Sequence, residues 1–351
     1  MTFYSSVKEK YDINCLWQEK FKYDFNVLIA DTVFKEKTIC IITGCDNGIV
    51  RVHRPLNEDN ILHGFDKEGQ CFETKGGPIQ TLLSANVTRF NFNDVLVCDT
   101  NGVFTIMTNG QILNRRSICL SKITTQILLR DSADSISIVT GSSCGTLLAV
   151  SPYEIIWKCR VPELLKHESQ RTTTSITCLH CLSINSSTCE TNYILVADSN
   201  NCVHLFLNSC LIATFNVLSQ VTSMCSGIFL TESENTKVQK HISGNQVAMA
   251  TLSGSIYVLS NMNVLSYCNL SFPITNIRTL IATGADEVDA ILCAGHFNSL
   301  RIVQNGVCVT TFNTSDWVHV FAVLKGAGES NLLVLGCLDR TIRLVKIVKN
   351  R

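Results

Sequence analysis

The sequence predicts an all-β fold of seven four-stranded antiparallel sheets set as blades around an axis, with one blade completed by the N-terminal segment. Three observations carry this. One hairpin pattern recurs seven times, successive copies fall 42 to 56 residues apart, and a strand missing at the C-terminus has a spare counterpart at the N-terminus. Periods of about 40–50 residues holding several strands each belong to β-propellers. A β-sandwich with a small second domain is the competing reading. Helical folds fit poorly, because no window sustains a 3.6-residue period with caps.

The first copy of the hairpin is Ile41-Ile42-Thr43-Gly44-Cys45-Asp46-Asn47-Gly48-Ile49-Val50-Arg51-Val52, with its turn at Gly48. The others turn at Gly102, Gly145, Asn201, Gly254, Asn298 and Arg340. Four turn positions are Gly and two are Asn, residues that tolerate positive φ in tight hairpins. The second and fourth residues after each turn are apolar: Val50/Val52, Phe104/Ile106, Leu147/Ala149, Val203/Leu205, Ile256/Val258, Leu300/Ile302 and Ile342/Leu344. A period of two marks a strand with one buried face. Turn-to-turn intervals of 54, 43, 56, 53, 44 and 42 residues place loop insertions in the three long units.

Each unit fills out to four strands, a to d from axis to rim. Strand a precedes the hairpin, as in Ser175–Leu182, and the hairpin supplies b and c. Strand d follows, as in Tyr153–Val161, Ser209–Phe215 and Gly306–Phe312. The last unit ends after strand c, Thr341 to Val348. Before the first strand a stands Ile13–Phe21, whose Leu16-Trp17 matches Ile156-Trp157 of the third outer strand. Residues 12–21 are therefore expected to close the ring on the C-terminal blade, hiding strand edges that invite aggregation. Residues 1–351 then form a single propeller domain.

Composition agrees with a strand-rich core. Of 351 residues, 46% are hydrophobic and only 17% are charged, with no net charge. This excludes a disordered tail and a charged coiled coil, and it leaves no electrostatic footprint for nucleic acid. Aromatic residues are only 7% and provide no stacking platform. The N-terminus has no apolar signal segment, and no apolar run approaches the ~20 residues that span a bilayer. The expectation is a cytoplasmic protein that reaches membranes only through partners. Most of the 18 cysteines sit in apolar runs such as Ile39-Cys40-Ile41, as buried thiols do. The glycosylation sequons at Asn86, Asn185, Asn269 and Asn313 are read as chance matches.

Chemical motifs are sparse. Gly141-Ser142-Ser143-Cys144-Gly145 fits G-x-S-x-G, but that motif needs a strand-to-helix turn, and here it falls on the third hairpin. Cys178-x-x-Cys181, with His180 between and Cys189 beyond, lacks the second ligand pair of a structural zinc site. On a strand, Cys178 and Cys181 point to opposite faces, so buried thiols are expected. Asp286-Glu287-Val288-Asp289 lacks calcium-loop order and reads as a solvated turn. No catalytic, cofactor-binding or metal-binding residue is assigned, and no cofactor or small-molecule substrate is implied.

Three polar stretches decorate the ring. In a propeller, a–b and c–d loops share one face, and d–a and b–c loops share the other. Residues 54–68 follow a strand c and residues 231–244 join a to b, so both belong to the a–b/c–d face. Residues 162–174 join d to a and belong opposite. Insertions on repeat scaffolds commonly carry partner contacts, and the a–b/c–d face is the first place to look for them.

The repeats resemble two propeller families. Leu338-Asp339-Arg340-Thr341-Ile342-Arg343-Leu344 looks like the end of a WD repeat, although no unit has the Trp-Asp dipeptide. Gly326–Gly336 and Thr283–Cys293 are similar to degenerate FG-GAP-like repeats, in which a polar turn precedes the apolar strand. The calcium-ligand aspartates of FG-GAP repeats are absent, so calcium binding is not carried over. Residues 246–348 resemble the FG-GAP repeat propeller of the KICSTOR complex, and residues 12–55 the propellers of BBSome subunits. The first resemblance implies a non-catalytic subunit in nutrient (mTORC1) signalling at the lysosome. The second implies trafficking of membrane proteins to cilia. Either way, the expected role is a protein–protein interaction scaffold whose partners are other subunits. An enzyme, or a peptide reader, with its site at the central channel is the competing class.

Overall fold

The structure, a computed structural model, describes residues 10–57, 61–130, 135–164, 174–185, 190–230, 246–282, 284, 287–324 and 331–350. The strands form seven separate four-stranded antiparallel sheets. Blade 2 is representative, with strands a–d at Ile79–Ala85, Asp94–Asp99, Val103–Thr108 and Gln111–Ser117. The chain is a seven-bladed β-propeller, as the hairpin spacing predicts.

Each junction between neighbouring blades holds one cluster of buried apolar side chains, and seven such clusters surround the axis. Both apolar positions of every hairpin lie in them: all fourteen residues from Val50 to Leu344 are buried. Middle strands have neighbouring blades against both faces. Cys40–Gly44, Asp94–Asp99, Gln246–Thr251 and Ala290–Gly295 are buried at every position. Strands buried on two faces read as continuous apolar runs, and this accounts for the low charge of the chain. Outer strands alternate between exposed and half-buried, as in Cys210–Asn216.

The ring closes as expected. Tyr11–Lys20 lies antiparallel on Thr341–Lys349, in register from Tyr11↔Lys349 to Lys20↔Thr341. Its start is also tied to blade 6, where the Tyr11 backbone N–H donates to Thr310 Oγ1 at 3.2 Å. Leu16 bulges out of this pairing, and the matched Ile156 bulges at the same step of blade 3. Leu113, Ile212 and Val309 do so in blades 2, 4 and 6. A bulge adds local twist, and here it bends five outer strands at one level of the rim.

Six turn positions adopt positive φ, including Asn201 (61°) and Arg340 (69°). The seventh is a correction. Asn298 lies inside strand c of blade 6 (Phe297–Gln304), and the chain reverses two residues earlier, at His296. This hairpin is tighter, with Gly295 opposite Phe297 and the His296 N–H donating to Pro273 O at 2.9 Å. A side chain on Gly295 would meet the neighbouring backbone, 2.8 Å from Ile274 Cα.

Candidate protein-interaction face

The motifs fall on structural positions. Gly141-Ser142 ends one strand and Gly145 precedes the next, so the G-x-S-x-G stretch is a strand-to-strand turn. Cys178 packs in the cluster between blades 4 and 5, whereas Cys181 lies beside Ser183 and Asn192 within its own blade. Cys189 lies outside the described residues. His180, between them, meets Ser226 Oγ at 2.5 Å, and burial pushes its imidazole pKa down to about 4. Among the described residues, no three His, Cys, Asp or Glu side chains gather closely enough to hold a metal ion.

Within the acidic run Asp289 is not solvated, which corrects the expectation there. Asp289 is buried, and its carboxylate accepts the backbone N–H groups of Ile228 and Ala282, both at 2.8 Å. It staples the a–b loops of blades 5 and 6. Glu287 is held by Lys349 and, at 3.8 Å, by Lys10, at the end of the closing strand pair where Tyr11 faces Lys349. Asp286 lies outside the described residues.

The blade 1 insertion also differs from a simple partner loop. Residues 54–57 and 61–69 fold back on the disc: Pro55 bridges Phe65, and the Asp66 N–H donates to Arg54 O at 2.8 Å. Phe65 is wholly buried against Trp17 of the closing strand, with ring centroids 5.8 Å apart. Two ion pairs, Lys67–Glu19 and Lys22–Glu68, bind the same two segments. A buried network holds the base, where Tyr23 Oη meets His53 Nε2 at 2.5 Å and His53 Nδ1–H donates to Asp66 O. This insertion is a latch on the ring closure. Residues 231–244 and most of 162–174 lie outside the described residues.

The inner strands carry a belt that sequence reasoning missed. Near the start of strand a, one side chain donates to a backbone carbonyl of the next blade. Thr124 bonds Ile176 O at 2.6 Å, Thr177 bonds Val221 O at 2.7 Å, and Thr222 bonds Ile274 O at 2.6 Å. His319 and Asn26 do the same from blade 7 to 1 and from 1 to 2. The signal was present in Ile123-Thr124, Ile176-Thr177 and Val221-Thr222, an apolar–Thr step at one place in three consecutive blades, whereas the same step at Ile274-Thr275 turns its hydroxyl to Ala294 O of its own blade. These hydroxyls at the inner edge are spent on cohesion between blades.

The d–a/b–c face changes character around the ring. The second turn residue is polar in blades 1 to 4 (Asp46, Thr100, Ser143, Ser199) but Leu252 in blade 5 and Leu338 in blade 7. The adjoining d–a loops present Leu218, Phe272 and Trp317, all exposed, Leu218 at 87%. Hydrogen bonds join each turn to its loop: the Leu252 N–H donates to Gln220 O and the Leu338 N–H to Trp317 O, both at 3.0 Å. Trp317 stacks on His296 at 4.5 Å, and the Arg301 guanidinium lies 5.8 Å from the Phe272 ring. The result is an apolar arc across blades 5 to 7, with the Arg301 guanidinium beside Phe272 and Arg340 beside Leu338. On the opposite face, Ile228 and Ile281 are exposed in the a–b loops of blades 5 and 6, and Leu56, Phe90, Tyr153 and Met262 are exposed in loops between other strands.

The geometry defines a class, the seven-bladed β-propellers, and solved structures of that class match. BBS1N, crystallised in complex with ARL6DN and soaked with mercury, superposes with a TM-score of 0.70 at 11% identity, over 97% of this chain and 98% of that one. A lead-soaked form of the same complex gives 0.70 and 11%, over 98% and 99%. The WD40 propeller domain of Doa1 gives 0.64 at 13% identity, over 95% and 96%. At such identities the likeness is one of fold. No family model matches the chain, and no curated protein does.

Proposed function

We propose that this propeller is a non-catalytic interaction subunit that docks another protein chain across the apolar arc of blades 5 to 7. The observation that carries the reading is the arc itself: five exposed large apolar residues on hydrogen-bonded neighbouring loops, with Trp and Arg among its members. Binding energy at protein interfaces concentrates in a few such residues, Trp and Arg prominent among them. This moves the preferred face from the a–b/c–d side, which the polar insertions suggest in sequence, to the d–a/b–c side. The insertion that is described there serves ring closure.

Two complexes fit the resemblance in the repeats: a KICSTOR-like assembly in nutrient signalling at the lysosome, and a BBSome-like assembly in trafficking. The near-complete overlap with BBS1N, itself crystallised with ARL6DN, supports the second through fold. Affinity purification with mass spectrometry tests both. The wild-type chain is expected to retain a defined set of subunits. Leu218→Asp with Leu338→Asp is expected to lose them, while Ile228→Asp with Ile281→Asp keeps them. Recovery of the bait alone would overturn the scaffold reading, and loss only through the second pair would overturn the choice of face.

A further inference from the structure

Three hydroxyl groups converge on one thiol in the b–c turn of blade 3. Cys144 Sγ lies 3.0 Å from Ser121 Oγ, 3.3 Å from Ser142 Oγ and 3.1 Å from Thr146 Oγ1. The Ser142 hydroxyl already accepts the Thr146 backbone N–H at 3.1 Å, which leaves its own proton to donate. A second thiol completes the cluster, Cys119 Sγ at 3.2 Å from Ser121 Oγ. Cys119 and Ser121 belong to the d–a loop that enters blade 3, so two segments build the site.

The loop is held in place from both sides. The Ile118 and Cys119 N–H groups donate to Gly102 O at 3.0 and 3.3 Å, and the Ser143 N–H donates to Lys122 O at 2.9 Å. A side chain at Gly102 would strike the loop backbone, 2.8 Å from Ser121 O. The geometry is therefore pre-organised.

A neutral thiol has one proton and weak acceptor capacity, whereas a thiolate accepts several donors at once. Three hydroxyl oxygens within 3.3 Å of one sulfur can all donate to the thiolate, and such donation favours the anion. Burial opposes this, but donation from Ser121, Ser142 and Thr146 outweighs it and brings the Cys144 pKa down to about 6. The buried thiols of Cys98 and Cys178, by contrast, are pushed up to about 12 by desolvation. Among the described residues, the titratable groups on the neighbouring elements are Cys119 and Lys122 on the preceding loop, and Arg160 and Glu163 at the end of the outer strand and just beyond it, which pair with each other at 2.8 Å. Cys144 is partly exposed and Cys119 is buried.

We propose that Cys144 is a peroxide-reactive nucleophilic thiol and that Cys119 resolves its oxidised form into a disulfide bolting blade 2 to blade 3. The Cys144 thiolate attacks one peroxide oxygen, the O–O bond breaks, and the second oxygen leaves as hydroxide, giving a sulfenic acid. The Cys119 sulfur then attacks Cys144 Sγ, the S–S bond forms, and the sulfenic oxygen leaves as water. Its proton comes from the Cys119 thiol, which Ser121 contacts on the path between the two sulfurs. Peroxide is reduced and the two thiols are oxidised.

The test uses the full reduced chain, labelled with iodoacetamide at pH 5.5 and read peptide by peptide. The thiolate fraction favours Cys144 over ordinary thiols by roughly two orders of magnitude at that pH, and its lower intrinsic nucleophilicity returns about one. Cys144 is therefore expected to label about tenfold faster than the exposed Cys15, Cys71, Cys210 and Cys308. Ser121→Ala and Thr146→Val are each expected to slow Cys144 severalfold and leave the exposed four unchanged. Stoichiometric hydrogen peroxide is expected to yield a linked Cys119–Cys144 peptide, and Cys119→Ser to leave a sulfenic acid that dimedone traps. Labelling of Cys144 no faster than the exposed thiols would overturn the nucleophile. Oxidation of Cys144 without the linked peptide would overturn the resolving role.

Discussion

Gly64→Ala is expected to loosen the ring closure, at a cost that depends on one partner. Gly64 sits in the blade 1 insertion at φ 100°, and a Cβ there would lie 2.7 Å from Trp17 Cε2 and closer still to the indole nitrogen. Two costs follow. A non-glycine residue in left-handed backbone costs about 1–2 kcal/mol, and forcing the Trp17 ring off the latch adds about 1–3 kcal/mol of overpacking. Their sum is about 2–5 kcal/mol. Urea denaturation followed by far-ultraviolet circular dichroism measures it. The structure makes a sharper demand in a Trp17→Ala background, where the steric part vanishes and only the backbone part remains. The coupling between the two substitutions should therefore be about 1–3 kcal/mol. Equal costs of Gly64→Ala in both backgrounds would refute the latch contact, and no cost in either would refute the placement of the insertion.

Three further outcomes follow from the same geometry. Thr222→Val removes the hydroxyl that bonds Ile274 O but keeps the side-chain shape, and should cost about 1 kcal/mol by denaturation; an unchanged midpoint would remove the belt from the energetics. Arg340→Gly relieves a positive φ of 69° and loses only an exposed pair with Asp24, so a gain of about 0.5–1 kcal/mol is expected in the denaturation midpoint. His53 and His180 are held neutral by burial, with pKa values lowered from 6.5 to about 4. Between those values the unfolded chain binds more protons, so stability is full above about pH 6.5 and falls as pH drops toward 4. Each histidine contributes a slope of up to about 1.4 kcal/mol per pH unit, and His180→Gln should flatten the profile measured from pH 7 to 4.5.

The blades were legible because strand c repeats a two-residue period after a turn that needs positive φ, and both constraints are local. Closure by residues 12–21 was legible for a different reason, since an outer strand looks alike wherever it stands in the chain. The turn of blade 6 was misplaced by two residues. Asn298 mimics its sister turns, and only the close approach of Gly295 to Pro273 shows the tighter reversal. The blade 1 insertion was harder to read. Its composition is polar, and the one residue that decides its role, Phe65, is buried by Trp17 from a segment nearly fifty residues away. Asp289 looked solvated because one N–H group it satisfies, that of Ile228, belongs to the a–b loop of another blade. The Cys144 cradle was hidden for the same reason, since its hydroxyls come from two segments. The apolar–Thr steps, by contrast, were readable, but only after aligning the strands a of successive blades.

The shared seventh blade also sets the timing of synthesis. Asp12 and Asn350 are hydrogen-bonded across 338 residues of sequence. At about 5–20 residues per second, the ribosome needs roughly 20–70 s to travel between them. Throughout that interval the first strand has no partner, and six blades accumulate as an open arc with an unpaired apolar flank at each end. Trp17 and Phe21 have their blade 1 neighbours Phe65, Tyr23 and His53 in that interval but none from blade 7. A nascent chain of this design leaves Tyr11–Lys20 unpaired until Thr341–Lys349 is made, so its yield in the cell should depend on chaperones that hold that strand until the ring can shut.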